Sequence, residues 1–323
     1  MSALRVLVIV AAVGAGACGS RDDPTPSSGS TTSASTPVSN ASSVTDLLLD
    51  PEYDYGDEYA GGILPVGDGR FHTDRAEQGY LYLCREPGGG GGAEVRGPWF
   101  VNDNTAYDVN AKLSVRGEVS WESSYSMEIA GGRRVITTND LPRDHTTGEF
   151  PVAADDPAYE YDRNPNGIAE QSLTYSLPAN PEVLDTPQCM GGEAGIMTTG
   201  VSLFNAFDGG GRDAGAWELQ DGCGGHPQVS GQYHYHTLSS CIASAPVSTV
   251  IGWAFDGFPI TGPKVDDRNI LTTSDLDECH GITSTISIDG EQVTTYHYVM
   301  TQDFPYSVSC FRATAVDAPG PPA

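Results

Sequence analysis

Apolar and polar residues alternate with a period of two along several short stretches, and alternation of that kind bounded by Gly, Pro, Asn and Asp marks half-buried β-strands. Residues 125–129, 134–138 and 171–177 read this way, and 99–101, 111–115 and 119–121 read as further strands. The run 250–255 is apolar throughout, as in a strand covered on both faces, and meets the turn sequence Asp256-Gly257-Phe258-Pro259 and then Gly262-Pro263. Residues 232–237 read as one more strand. No long stretch keeps a helical period. The pattern therefore predicts a mainly β protein with few helices, a single disulfide-stabilised domain that is β-sandwich-like or irregular.

The ends of the chain follow other rules. An apolar run at 6–13 follows Arg5 and leads through small residues to Cys18. It is too short for a settled transmembrane helix and resembles a bacterial lipoprotein signal, residues 1–17, with Cys18 lipidated; an ordinary secretory signal is the alternative. Residues 18–45 are rich in Ser, Thr and Pro with almost no large apolar residue, which predicts a flexible, disordered tether. The folded domain is expected over 46–316, with a flexible tail at 317–323. Both signal readings place the protein outside the cytoplasm, and the first anchors it to the cell envelope through lipid on Cys18.

Composition narrows the partners. The 323-residue chain has a formal net charge of −27 and only two lysines, Lys112 and Lys264. A nucleic-acid binder needs positive charge to displace counterions from phosphates, so that class is disfavoured. An anionic membrane surface is disfavoured as a direct partner for the same reason. The acidity attracts cations or simply keeps an exported protein soluble. Apart from Cys18, the cysteines are Cys84, Cys189, Cys223, Cys241, Cys279 and Cys310. An even set with no CxxC pair, in an exported protein, reads as disulfides rather than a thiolate metal site.

The candidate chemistry sits at 221–241, DGCGGHPQVSGQYHYHTLSSC, where His234 and His236 alternate with Tyr233 and Tyr235. On a strand both imidazoles share one face at roughly 6.6 Å, a spacing that suits two ligands of one metal ion. The last third restates this stretch. Asp221-Gly222-Cys223 aligns with Asp277-Glu278-Cys279, Tyr233-His234-Tyr235-His236 with Tyr296-His297-Tyr298-Val299, and each copy closes on a cysteine. The repeat favours Cys223–Cys241 and Cys279–Cys310, leaving Cys84–Cys189, although six cysteines allow other connectivities. Pairing the two copies in register would bring His297 to His234 and His236, with His226 or His280 from neighbouring loops. Five of the seven histidines fall between His226 and His297. Such a cluster binds a metal or packs as a hydrogen-bonded aromatic core. His145 alone in a loop reads as a surface or capping residue. The five glycines of 88–92 lack a phosphate-binding context and read as a mobile loop.

Several of these motifs together resemble the YHYH-domain family of exported bacterial proteins. The resemblance rests on Tyr233-His234-Tyr235-His236, GHP at 225–227, GWAFDGFPITGP at 252–263, DLDEC at 275–279 and DFPYSVSCFR at 303–312. It covers 134–312, and implies fold identity and a site location more than a reaction. Ile282 and Val299 stand where histidines are common in the family, so the second copy is thinned.

Two functions follow. The first is a lipid-anchored extracytoplasmic protein whose His234, His236 and His297, completed by His226, His280 or a carboxylate, hold copper, zinc or iron. Such a site could serve a metal-dependent hydrolase or oxidoreductase, with Asp256 or Glu278 as a general-base candidate, although Asp256 also reads as a turn residue. The second is a non-catalytic binding or adhesion module, calcium-stabilised in one version, that recognises a polymer or a surface protein through tyrosines such as Tyr53, Tyr55 and Tyr59; a small-molecule or polymer ligand is left open in both. No GxSxG elbow, HExxH helix or P-loop occurs.

Overall fold

The computed structural model describes residues 62–88, 90–266 and 269–318, all inside the unit Ser42–Ala323. Cys18, the tether and the three N-terminal tyrosines lie outside the described residues. Five short strands come first: β1 (Ile63–Pro65), β2 (Phe71–His72), β3 (Leu81–Tyr82), β4 (Phe100–Val101) and β5 (Ala106–Asp108). β1, β5 and β4 form one small sheet and β2 and β3 another. Period-two alternation then produces β6 (Tyr125–Ala130), β7 (Arg133–Thr138) and β8 (Leu173–Pro178), an antiparallel sheet. β8 shows why the pattern works: Leu173, Tyr175 and Leu177 are buried in the main core, while Thr174 and Ser176 are exposed.

The expected strands at 111–115 and 119–121 do not form. Each contributes a single bridge, Val115 to Asp221 and Val119 to Thr147. Between them Gly117 sits at φ +124°, where a Cβ would lie 2.6 Å from the Glu149 amide. The chain turns there, so alternation on either side cannot extend into a ladder.

The main sheet has eight strands: β9 (Glu193–Met197), β10 (Ser202–Phe204), β11 (Gly225–Pro227), β12 (Tyr233–Tyr235), β13 (Val250–Ala254), β14 (Pro259–Thr261), β15 (Gly281–Ile288) and β16 (Glu291–Val299). Their order is β11-β12-β10-β9-β13-β14-β16-β15. Each half repeats one plan, a first pair antiparallel, the next parallel and the outer pair antiparallel. The halves meet where β9 runs antiparallel to β13, with Ile196 opposite Trp253. That register defines a pseudo-twofold axis. Gly195 and Gly252 are equivalent beside it, and close approach requires glycine at both: a Cβ would lie 2.5 Å from the Trp253 carbonyl oxygen and 2.7 Å from the Met197 sulfur, respectively.

The axis corrects the expected pairing of the repeats. β12 and β16 are not neighbours but occupy matching places in opposite halves, so His297 does not join His234 and His236. The sequence copies fold as internal equivalents rather than as partners. In each, one aspartate locks the loop before the outer strand. Asp221 accepts bonds from the Cys223 and Gly225 amides and the Tyr233 hydroxyl, and Asp277 from the Cys279 and Gly281 amides and the Tyr296 hydroxyl.

Three disulfides close the domain, Cys84–Cys189, Cys223–Cys241 and Cys279–Cys310. They point to an oxidising compartment. The mainly β character follows the patterning; among the described residues the α-helix is the single turn α1 (Ala214–Trp217). No helix among them is long and apolar enough to cross a membrane.

Candidate metal centre

β11 and β12 form a two-stranded ladder in which His226 lies directly opposite His234. Alternation puts Tyr233 and Tyr235 on one face and His234 and His236 on the other. On the tyrosine face, the Tyr233 hydroxyl donates to Asp221 at 2.8 Å and the Tyr235 hydroxyl to His145 Nε2 at 2.5 Å. On the histidine face His226, His234 and His236 converge, each with one ligand nitrogen within 4.8 Å of the others. All three are buried, at 3–4% exposure.

A fourth group completes the cluster. Glu218 caps the C-terminal end of α1 and brings Oε2 to 3.4 Å from His226 Nε2 and 3.5 Å from His236 Nε2. The helix is set by Asp213, whose side chain accepts from the Ala216 amide, and by the Leu219 amide, which donates to Asp162 at 2.9 Å. Glu218 Oε2 and His226 Nε2 are both buried without a hydrogen-bond partner.

Tautomers decide what these nitrogens can do. His234 Nδ1 lies 3.2 Å from the Gln232 carbonyl oxygen and His236 Nδ1 lies 2.5 Å from that of Asn205. A carbonyl only accepts, so both Nδ1 atoms carry the proton and both Nε2 atoms present lone pairs. Those lone pairs face each other at 3.0 Å. Two nitrogens bound to one ion at 2.0–2.1 Å lie roughly 3 Å apart, so a cation between them would turn this repulsion into coordination. His226 is held more loosely. Its Nδ1 sits 3.5 Å from Asn164 Nδ2, which also donates to the Pro227 carbonyl, so no carbonyl fixes its tautomer.

Electrostatics agree with the geometry. Burial lowers the pKa of His226 and His234 well below the usual imidazole range, with neighbouring imidazoles adding to the effect, and lowers that of His236 to about 4. Burial, with Asp208 and Asp162 nearby, raises Glu218 well above the carboxylate range. The Glu218 contacts are thus not ion pairs of the isolated side chains. A dication would change that by stabilising the carboxylate and the unprotonated nitrogens together.

The cluster is reachable. His226, His234, His236 and Glu218 line a cleft of about 980 Å³ with Phe204, whose ring stacks on His234 at 4.0 Å. One wall is formed by Gly88, Gly90, Gly91 and Gly92. It packs on the second glycine turn at 209–211: Arg212 donates to the Gly91 carbonyl at 3.2 Å, and a Cβ on Gly92 would meet the Asp208 carboxylate.

The other candidates lie elsewhere. His297 is engaged through both nitrogens, by Thr261 Oγ1 at 2.9 Å and Ser284 Oγ at 2.8 Å. His280 Nε2 meets Thr301 Oγ1 at 3.0 Å. Asp256 is a fully buried staple that takes the Tyr298 hydroxyl at 2.6 Å and the amides of Phe258, Arg312 and Ala313. Glu278 pairs with Arg312 at 2.7 Å. Neither carboxylate lines the cleft. His145 lies close to Cys223 and Cys241, but those sulfurs are joined as a disulfide and offer no thiolate. Sequence reasoning missed Glu218, Asn164, Asn205 and Phe204. The available signal was the AWELQ segment leading into the cysteine loop, with one acid flanked by large apolar side chains.

Residues 174–271 match the family model described as YHYH protein, a span running from β8 past β14 and containing all four converging side chains. No curated protein and no solved structure matches the chain.

Proposed function

We propose, from the match of residues 174–271 to the YHYH protein family model and from the histidine geometry, that the chain is an exported metalloprotein. In this reading His226, His234, His236 and Glu218 hold one divalent transition-metal ion at the floor of an open cleft. The carrying observation is the 3.0 Å approach of the two Nε2 atoms while both Nδ1 atoms face backbone carbonyls. Three imidazoles and a carboxylate suit zinc, copper or iron, and are too few oxygens for calcium. An ion held there supplies Lewis acidity, or redox chemistry if it is copper or iron, to a ligand entering the cleft.

The chain's own groups do the rest. The carbonyls of Gln232 and Asn205 orient two ligands, Phe204 shields His234 from solvent on one face, and the glycine wall leaves room for a ligand. This is an enzyme's arrangement more than an adhesion module's, because the ligand side chains form cleft wall. In the same proposal Cys18 carries the lipid and residues 18–45 let the domain stand off the envelope.

Metal content after loading with zinc, copper or iron and dialysis against a weak chelator tests the reading. About one ion per chain is expected in the wild type and in His297→Ala, and none in His234→Ala with His236→Ala, each checked for folding by circular dichroism. Trace metal in the folded wild type, or retention in the double variant, overturns it.

A further inference from the structure

The cleft carries a second kind of information, in its rim. Among the described residues few large aliphatic side chains are strongly exposed, and two of them, Val229 at 87% and Val95 at 48%, line this cleft. They come from distant parts of the chain, Val229 from the connection between β11 and β12 and Val95 from just beyond the glycine run. Phe204, half-buried and stacked on His234, lines the same cleft. Three apolar side chains and the ligand cluster thus face one space.

Charge does not compete with it. Two carboxylates that line the cleft are already occupied: Asp162 accepts the Leu219 and Asn164 amides, and Asp208 pairs with Arg212 at 2.8 Å. The remaining charged lining residues are mixed in sign, with Arg85 and Arg163 against acids such as Glu94. A chain of net charge −27 also disfavours anionic ligands at long range. The volume, about 980 Å³, lies at the upper end for a small-molecule site.

We propose that the cleft takes an uncharged amphiphile, a small molecule whose oxygen-donor head reaches the histidine cluster while an aliphatic chain lies along Phe204, Val95 and Val229. The proposal rests on the metal reading above and adds the ligand class. Binding then strengthens with chain length, because each methylene buried against the rim contributes about fourfold in affinity. The head contributes through the ion and the chain through the two valines, so the two parts separate experimentally.

The probe is a series of straight-chain hydroxamic acids, from acetohydroxamic to octanohydroxamic acid, titrated into cobalt-loaded full-length protein and followed by the visible spectrum and by calorimetry. The wild type is expected to bind acetohydroxamic acid weakly and to gain about three- to fourfold per added methylene until the rim ends. Val95→Ser with Val229→Ser should leave acetohydroxamic acid binding unchanged and at least halve the gain per methylene. Both positions are exposed, and an unchanged melting temperature shows that the fold is intact. Equal affinity along the series, or an undiminished gain in the double variant, overturns the amphiphile while leaving the metal reading standing. Failure of the cobalt-loaded protein to bind any member shows that no open coordination position faces the cleft and overturns the amphiphile. Failure to load cobalt, zinc, copper and iron alike overturns both, and if cobalt alone fails the same series is titrated by calorimetry into the protein loaded with whichever of the others binds, with the same outcomes.

Discussion

His280 offers a measurement whose size follows from its surroundings. Its imidazole is 1% exposed, Nε2 meets Thr301 Oγ1, and Nδ1 has no partner. Burial lowers its pKa to about 3. In the unfolded chain the ring titrates at about 6.5, so between those values the unfolded state binds a proton that the folded state refuses, and stability falls as the pH drops below 6.5. At about pH 5 the cost is roughly 2 kcal/mol, whereas at about pH 7.5 it is close to zero. His280→Gly removes the titration, and its backbone suits the change: His280 has φ +71°, as its equivalent Gly224 has φ +76°. Releasing a side chain from the left-handed region returns about 1 kcal/mol, set against lost packing. Those two contributions do not depend on pH. Denaturant unfolding of both proteins at the two pH values, with chelator present, isolates the proton effect as a double difference. The wild type should lose roughly 2 kcal/mol more than the variant on acidification. A double difference near zero would refute the account of His280 as a buried neutral imidazole, and a lower metal content of the variant than of the wild type, after loading in the absence of chelator, would refute its exclusion from the proposed site.

Other outcomes follow from the same geometry. Glu218→Gln should keep or raise stability in chelator, because burial already favours the neutral carboxyl, yet lose metal affinity by at least the roughly 10–100-fold typical of an outer-shell partner, as read by competition with a chromophoric chelator. Cys223→Ser with Cys241→Ser opens a loop of sequence separation 18 that contains all three histidines; it should cost roughly 3 kcal/mol in denaturant unfolding and weaken metal binding in parallel. His226→Ile with His236→Val, which installs the residues found at the equivalent positions of the second half, should fold with a melting temperature in chelator no lower than the wild type and bind no metal.

Much of the architecture was legible because its signals are local. Alternation in β7 and β8, the Asp-to-Cys loops and the tyrosine-histidine strands are each written within a few residues. The junction at the pseudo-twofold axis was not legible, since 193–197 and 250–254 share little beyond Gly195 and Gly252. The repeat invited pairing of its copies, whereas the axis makes them equivalents, and only the register of β9 on β13 distinguishes the two. Glu218 was hidden for a different reason. The chain holds 43 acidic residues, and this one is set apart by burial at 6% exposure and by its place at the end of α1, properties that belong to the tertiary structure.

The two halves supply an internal control on what the histidines are for. Both have the aspartate lock, the tyrosine pair, the disulfide and the same strand plan. Register makes Ile282 the equivalent of His226 and His297 that of His234, which puts Val299 at the place of His236 and Thr261 at that of Phe204. The second half therefore builds its sheet without two of the three imidazoles, and uses hydroxyls to satisfy the one it keeps. If the cluster served only to hold strands together, aliphatic residues would do so at lower cost, because each buried neutral imidazole opposes folding as the pH falls. The first half keeps three of them with a buried carboxyl against one cleft. Keeping the plan while varying those positions separates the scaffold from the histidine cluster, and supports placing the proposed metal site in the half that bears the cost.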